Sequence, residues 1–169
     1  MDQPKKSMAP AGAERPLLLV LGSLPGEASL AAQRYYAHPQ NQFWRLLGAA
    51  LGEPLDVLAY EKRLATLAAR RVGLWDVVGE AKRIGSLDGA IREVTANRLA
   101  EFVAGQPQLR AIAFNGQTAA KIGRRVLGDT GLTLIDLPSS SPAYTLGFAA
   151  KAARWSVLAN FAASATVRQ

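Results

Sequence analysis

Leu17-Leu18-Leu19-Val20-Leu21-Gly22-Ser23-Leu24-Pro25-Gly26 decides the fold. An unbroken aliphatic run, Leu17 to Leu21, reads as a strand buried on both faces. The glycine and proline that follow stop it and open a turn. A polar and aromatic stretch comes next, Tyr35-Tyr36-Ala37-His38-Pro39-Gln40-Asn41, ahead of a helix pattern carrying Phe43, Trp44, Leu46 and Leu47. Open α/β sheets build their sites where a buried parallel strand delivers such residues at its carboxyl end.

Working outward, further strands are expected at 72–78, 109–114 and 132–137. Helices are expected near 41–51, 58–70, 96–104, 116–126 and 147–162, with Asn41 as an N-cap and a polar loop over 79–89. Strands alternating with helices predict a three-layer α/β/α sandwich around a central, mainly parallel four-stranded sheet. Residues 16–169 form one domain in this reading, and the polar residues 1–15 form a disordered tail. The 169 residues suffice for a sizeable core.

Hydrophobic residues make up 49% of the chain and its mean hydropathy is +0.05. No apolar run approaches the ~18 residues that span a bilayer. Met1 to Ala13 has no signal-peptide core, so the expectation is a cytoplasmic protein with no membrane partner. Without cysteines, disulfides, thiolate zinc and iron–sulfur ligation are excluded, and a single histidine argues against a protein-only metal site. A net charge of +7 favours a polyanionic partner. Its basic residues fall in separate clusters, Arg70-Arg71, Lys82-Arg83, Lys121 and Arg124-Arg125, as on a folded surface.

Ser23, Asp76, Asn115 and Ser139 each stand at or just beyond a strand's carboxyl end. In a parallel sheet those ends share one edge, so the four converge on a pocket. Each has a plainer reading. Asp76 caps a turn, Asn115-Gly116 makes one, Asn41 caps a helix, Tyr36 lines a rim, and the serines form a solvated loop. Phe43, Trp44, Trp75 and Trp155 read as core, and His38 as a loop brace.

Four blocks carry a resemblance. Gly22 to Gly26 with Tyr35 to Trp44 is similar to the first motif block of the uracil-DNA glycosylase superfamily. Leu74-Trp75-Asp76-Val77-Val78 with Ser86-Leu87-Asp88, then Phe114 to Ala119, then Leu137-Pro138-Ser139-Ser140-Ser141-Pro142-Ala143 follow in the family's order. The resemblance spans about residues 17–161 and is nearest to the hypoxanthine-DNA glycosylase branch. The absence of cysteine sets the chain apart from the iron–sulfur branches.

The resemblance implies a uracil-DNA glycosylase-like fold and a monofunctional DNA glycosylase. It would flip out deaminated bases (uracil, hypoxanthine, xanthine) and hydrolyse the N-glycosyl bond. It implies a monomer with no cofactor and no metal, acting on DNA in the bacterial nucleoid. Ser23 stands where many members have an Asp or Asn that orients water, so Asn41 is the substitute and Ser23 an accessory. Tyr36 and Leu24 would contact the base. Asp76 would accept from its ring N–H, and Asn115 would donate to its carbonyl. Ser139, Ser140 and Ser141 would contact phosphates, and Pro142 and Tyr144 would enter the minor groove. Two rivals stand beside this. One is a catalytically weak relative that recognises damaged or abasic DNA. The other is a nucleotide-binding protein using Gly22 to Gly26, which lacks both the P-loop ending and dinucleotide spacing.

Overall fold

The computed structural model describes residues 5–6, 8–83 and 91–165. Ser86, Leu87 and Asp88 of the second motif block lie outside the described residues. The buried run forms strand β3 (Leu18–Gly22), preceded by two short strands, β1 (Lys5–Lys6) and β2 (Ala11–Gly12). Then come α1 (Glu27–Ala32), α2 (Phe43–Leu51), a 3-10 turn (Leu55–Val57), α3 (Tyr60–Ala69), β4 (Val72–Asp76), β5 (Val78–Arg83) and β6 (Ile91–Ala96). The chain continues through α4 (Leu99–Ala104), β7 (Ala111–Asn115), α5 (Gln117–Leu127), β8 (Thr133–Leu137), α6 (Phe148–Trp155) and a closing 3-10 turn (Ser156–Asn160).

The central sheet has the order β2-β4-β3-β7-β8. Strands β4, β3, β7 and β8 are parallel, as expected, and β2 adds an antiparallel fifth strand at the edge. Alternation along β3 divides the core. Leu18 and Val20 pack with Phe43, Trp44, Leu47, Leu67 and Trp155, under α2, α3 and α6. Leu19 and Leu21 pack with Leu99, Phe114 and Ala119, under α4 and α5. Side chains alternate across a strand, so five aliphatics in a row feed both layers. Phe43, Trp44 and Trp155 are buried core residues, while Trp75 is half-buried against Phe102.

Three expectations change. Part of the stretch expected as a tail is structural: Ala11 and Gly12 pair with Leu74 and Gly73 of β4, and Met8 and Ala9 carbonyls accept hydrogen bonds from Trp75 and Tyr35. An edge strand satisfies backbone groups that β4 would otherwise leave open. Residues 79–83, expected in a loop, lie in β5, which pairs antiparallel with β1 and β6 in a small second sheet. Because β6 runs to Ala96, α4 begins at Leu99 rather than at 96.

Candidate active site

Register fixes the site. Gly22 lies opposite Asp76, Leu21 opposite Phe114, and Asn115 opposite Leu137, so four parallel strands end in one row. Above that row opens a cavity of about 1070 Å³. Its walls include Ser23, Leu24, Tyr36, Asn41, Asp76, Asn115, Ser139, Ser140, Ser141, Pro142 and Tyr144. Every side chain expected at the site therefore borders one cavity.

Asp76 is buried, at 2% exposure, on the floor. Its backbone carbonyl accepts from Asn97 Nδ2 at 2.7 Å, which anchors the strand end. Gly22 has no side chain for a steric reason. A Cβ there would lie 2.7 Å from Asp76 Oδ1 and 2.8 Å from the Tyr36 hydroxyl. The carboxylate and the phenol thus close over the glycine from two sides.

Tyr36 holds a left-handed backbone, φ 55°, a conformation that costs a non-glycine residue energy and gathers at functional positions. Its ring stacks on Phe43 with centroids 3.6 Å apart and planes 10° from parallel. The loop around it is braced. Ser29 Oγ accepts from Ala37 N–H at 3.0 Å, and His38 Nδ1 accepts from Gln40 N–H at 3.1 Å.

Asn41 is half-buried and its Oδ1 accepts from Phe43 N–H at 3.0 Å, at the start of α2. The formal N-cap is Gln42, one residue on; Asn41 still satisfies a first-turn donor. The second lone pair of its oxygen and its Nδ2 protons are chemically additional to that bond.

Asn115 is buried, and its amide serves the loop beyond β8. Oδ1 accepts from Ser140 N–H at 2.9 Å; Nδ2 donates to Ser140 Oγ at 2.8 Å and to the Tyr36 hydroxyl at 3.3 Å. The loop itself makes two hydroxyl-closed turns, with Ser139 Oγ accepting from Ser141 N–H and Ser141 Oγ from Ala143 N–H. Tyr144 is 46% exposed at the rim, and the basic side chains of Lys121, Arg124 and Arg154 also border the cavity.

Sequence reasoning missed Gln42 and Lys151. Gln42 N–H donates to the Ser140 carbonyl at 3.0 Å, and Lys151 Nζ donates to Gln42 Oε1 at 3.0 Å and the Ser141 carbonyl at 3.2 Å. A signal existed: Phe148, Lys151 and Trp155 are spaced i, i+3, i+7 and share one helix face. Among the described residues no His, Cys, Asp and Glu cluster could hold a metal, and no helix is long and apolar enough to cross a membrane.

Fold and site together define an α/β protein with a deep, polar-floored pocket at the carboxyl edge of its sheet, roofed by a serine-rich loop. The chain belongs to the uracil DNA glycosylase superfamily, whose family model matches residues 9–161. It is 44% identical over 126 residues to a hypoxanthine DNA glycosylase of Methanosarcina acetivorans, covering 75% of this chain and 79% of the relative. It is 38% identical over 117 residues to the hypoxanthine DNA glycosylase of Methanosarcina barkeri, covering 69% and 74%. The solution NMR structure of a candidate uracil DNA glycosylase from Methanosarcina acetivorans superposes with a TM-score of 0.82 at 38% identity, covering 92% of this chain and 96% of that one.

Proposed function

We propose that this chain is a monofunctional DNA glycosylase of base-excision repair that hydrolyses the N-glycosyl bond of deaminated bases, with hypoxanthine its main substrate and uracil a second. The observation that carries the reading is the convergence of Asp76, Tyr36 and Asn41 on one cavity, in a chain this similar to two hypoxanthine DNA glycosylases.

A duplex hides its bases, so the target nucleotide must be flipped into the pocket. There the buried Asp76 carboxylate accepts from the ring N–H that hypoxanthine and uracil both carry beside a carbonyl. Tyr36, held by Phe43, offers an aromatic wall. Asn41 orients a water molecule toward the sugar carbon, and the Ser23 hydroxyl assists. The bond to the base breaks with its electron pair leaving on the base, and the water oxygen bonds to the sugar carbon while its proton passes, directly or through solvent, to the departing base, which leaves neutral. Nearby phosphates favour the cationic sugar, which lowers the barrier to departure of the base. Ser139 and Ser141 contact phosphates, while Pro142 and Tyr144 fill the space left by the flipped base. Asn115 has a different task from the one its residue type implied. With its amide committed to Ser140 and Tyr36, it sets the roof of the pocket and the aromatic wall rather than reading the base.

The test is single-turnover base release from duplexes carrying hypoxanthine, uracil, xanthine or thymine at one position. Release of hypoxanthine, with an abasic product and an unbroken strand, is the expected result. Tight binding of abasic duplex with no release of any base would instead identify a damage-recognising relative without turnover.

A further inference from the structure

Two cations are buried among the described residues, Arg70 and Lys151. Arg70 is paired with Glu53 at 3.1 Å. Lys151, at 1% exposure, has no carboxylate within salt-bridge reach among the described residues. Its ammonium meets only neutral groups: Gln42 Oε1, the Ser141 carbonyl and the ring of Tyr144, 5.4 Å from its centroid. A buried charge without a counter-charge is costly.

The loop above Lys151 explains what the charge is for. Three carbonyls there accept from donors of the protein interior: Pro138 from Trp155 Nε1 at 2.9 Å, Ser140 from Gln42 N–H, and Ser141 from Lys151, which shares that oxygen with the loop's own Tyr144 N–H at 3.1 Å. The negative ends of the loop's peptide dipoles are thereby drawn inward. The Ser139 and Ser141 hydroxyl oxygens accept from loop N–H groups, which leaves each hydroxyl proton to donate. A loop with its acceptors turned in, its hydroxyl donors available and an uncompensated cation beneath it suits an anion.

We propose that Lys151 is a positioning residue for DNA: it holds the carbonyl edge of the Ser139–Tyr144 loop inward and lends the loop a positive charge from beneath, so that a phosphodiester of the strand carrying the flipped base is drawn to the loop's outer face and offsets that charge. This rests on the DNA glycosylase reading above and extends it to a residue outside the pocket lining.

The experiment compares wild type with Lys151→Met and Lys151→Gln. Glutamine can still donate to the Ser141 carbonyl, so it separates the charge from the hydrogen bond. Binding of a duplex containing a tetrahydrofuran abasic analogue is measured across a range of salt concentrations, together with thermal unfolding. Lys151→Gln, which sheds the buried charge and keeps a donor, is expected to unfold at or above the wild-type temperature. Both variants should bind roughly tenfold or more weakly at low salt, with a slope of log affinity against log salt shallower by about one. Wild-type affinity and slope in Lys151→Gln would overturn the proposal. So would lower unfolding temperatures with an unchanged slope, the signature of a mere brace. Wild-type protein that neither binds the abasic duplex nor releases hypoxanthine would overturn the parent reading, and this one with it. Wild-type binding with unchanged variants would overturn this one alone.

Discussion

Asn115 and Ser140 hold each other through two reciprocal hydrogen bonds, Ser140 N–H to Asn115 Oδ1 at 2.9 Å and Asn115 Nδ2 to Ser140 Oγ at 2.8 Å. Both residues are buried. The pair ties the end of β7 to the loop that roofs the cavity. Asn115→Leu keeps the volume but leaves the Ser140 N–H without its acceptor. That loss costs roughly 1–3 kcal/mol of stability. Ser140→Ala removes only the hydroxyl and should cost about 1 kcal/mol. Chemical denaturation measures both, and an Asn115→Leu protein as stable as wild type would refute the clasp.

Legibility in the sequence followed how local each signal was. The Leu17–Leu21 run carries its own burial pattern, so β3 and the parallel sheet around it could be read directly. The row of Ser23, Asp76, Asn115 and Ser139 was readable because a parallel sheet puts all carboxyl ends on one edge. Strand β5, with the sequence VGEAKR, has no apolar alternation; its pairing with β1 and β6 is a long-range choice that local pattern does not encode. Ala11–Gly12 joins the sheet through two residues only, and its need for glycine at position 12, where φ is 79° and a Cβ would lie 2.5 Å from the Val72 carbonyl oxygen, is set by the distant strand β4 rather than by local pattern. The amide of Asn115 shows a further limit. Residue type told that it could donate and accept, but only the fold showed that Ser140 and Tyr36 use those groups.

Gly22→Ala should damage the pocket without unfolding the protein. The added methyl carbon would lie 2.7 Å from Asp76 Oδ1 and 2.8 Å from the Tyr36 hydroxyl, closer than real Cβ atoms come. Tyr36 is pinned against Phe43 and Asp76 sits in the floor, so both must shift together. Displacement of reacting groups by an ångström can cost about a hundredfold in rate. Single-turnover excision should fall by about that factor, while affinity for an abasic-analogue duplex changes little. A near-wild-type rate would show that the closure over Gly22 is not part of catalysis.

Asn41 has a structural bond and a proposed chemical role, and one variant separates them. Asn41→Ser keeps a side-chain oxygen able to accept from Phe43 N–H, and serine is about as good a cap as asparagine. Asn41→Ala loses that bond and about 1 kcal/mol of stability. Both lose the amide, so both should lose most base excision, while only the alanine variant is destabilised. Excision by Asn41→Ser at the wild-type rate would leave this residue with its hydrogen bond from Phe43 N–H alone.

Burial lowers the Lys151 pKa below the ordinary lysine value of 10.5. The unfolded chain therefore binds this proton more tightly than the folded one. Stability rises with pH wherever the unfolded state holds more protons, here in the window between the lowered folded value and 10.5. Tyr60 acts in the opposite sense: burial raises its pKa above 10.0, so stability is lost once the unfolded tyrosine ionises. Wild type and Lys151→Met share Tyr60, and their difference isolates the lysine. Any stability advantage of the methionine variant at neutral pH should shrink as pH climbs toward about 10. Denaturation curves at several pH values test this, and a difference that stays constant or widens contradicts it.

Asp76 should decide which base is removed more than whether DNA binds. Hypoxanthine and uracil present a ring N–H beside a carbonyl; adenine and cytosine present an acceptor nitrogen beside an amino group. A carboxylate accepts from the first pair and repels the second. The backbone at Asp76 is held independently of its side chain, by the Asn97 bond to its carbonyl and by its register opposite Gly22. Substitution there should therefore leave the strand in place. Asp76→Ala deprives the ring N–H of its acceptor, a loss of roughly 1–3 kcal/mol, or about tenfold to a hundredfold in rate. Asp76→Asn keeps an acceptor oxygen but adds a donor, so excision of hypoxanthine should fall less and the repulsion of adenine should weaken. An abasic analogue has no base to read, and both variants should bind it as wild type does. The measurement is single-turnover release of hypoxanthine, uracil and adenine, with abasic-duplex affinity alongside. If both variants keep the wild-type rates and the wild-type ratio of hypoxanthine to uracil, Asp76 does not read the base, and recognition falls to the Tyr36 ring and backbone groups around Ser23 and Leu24.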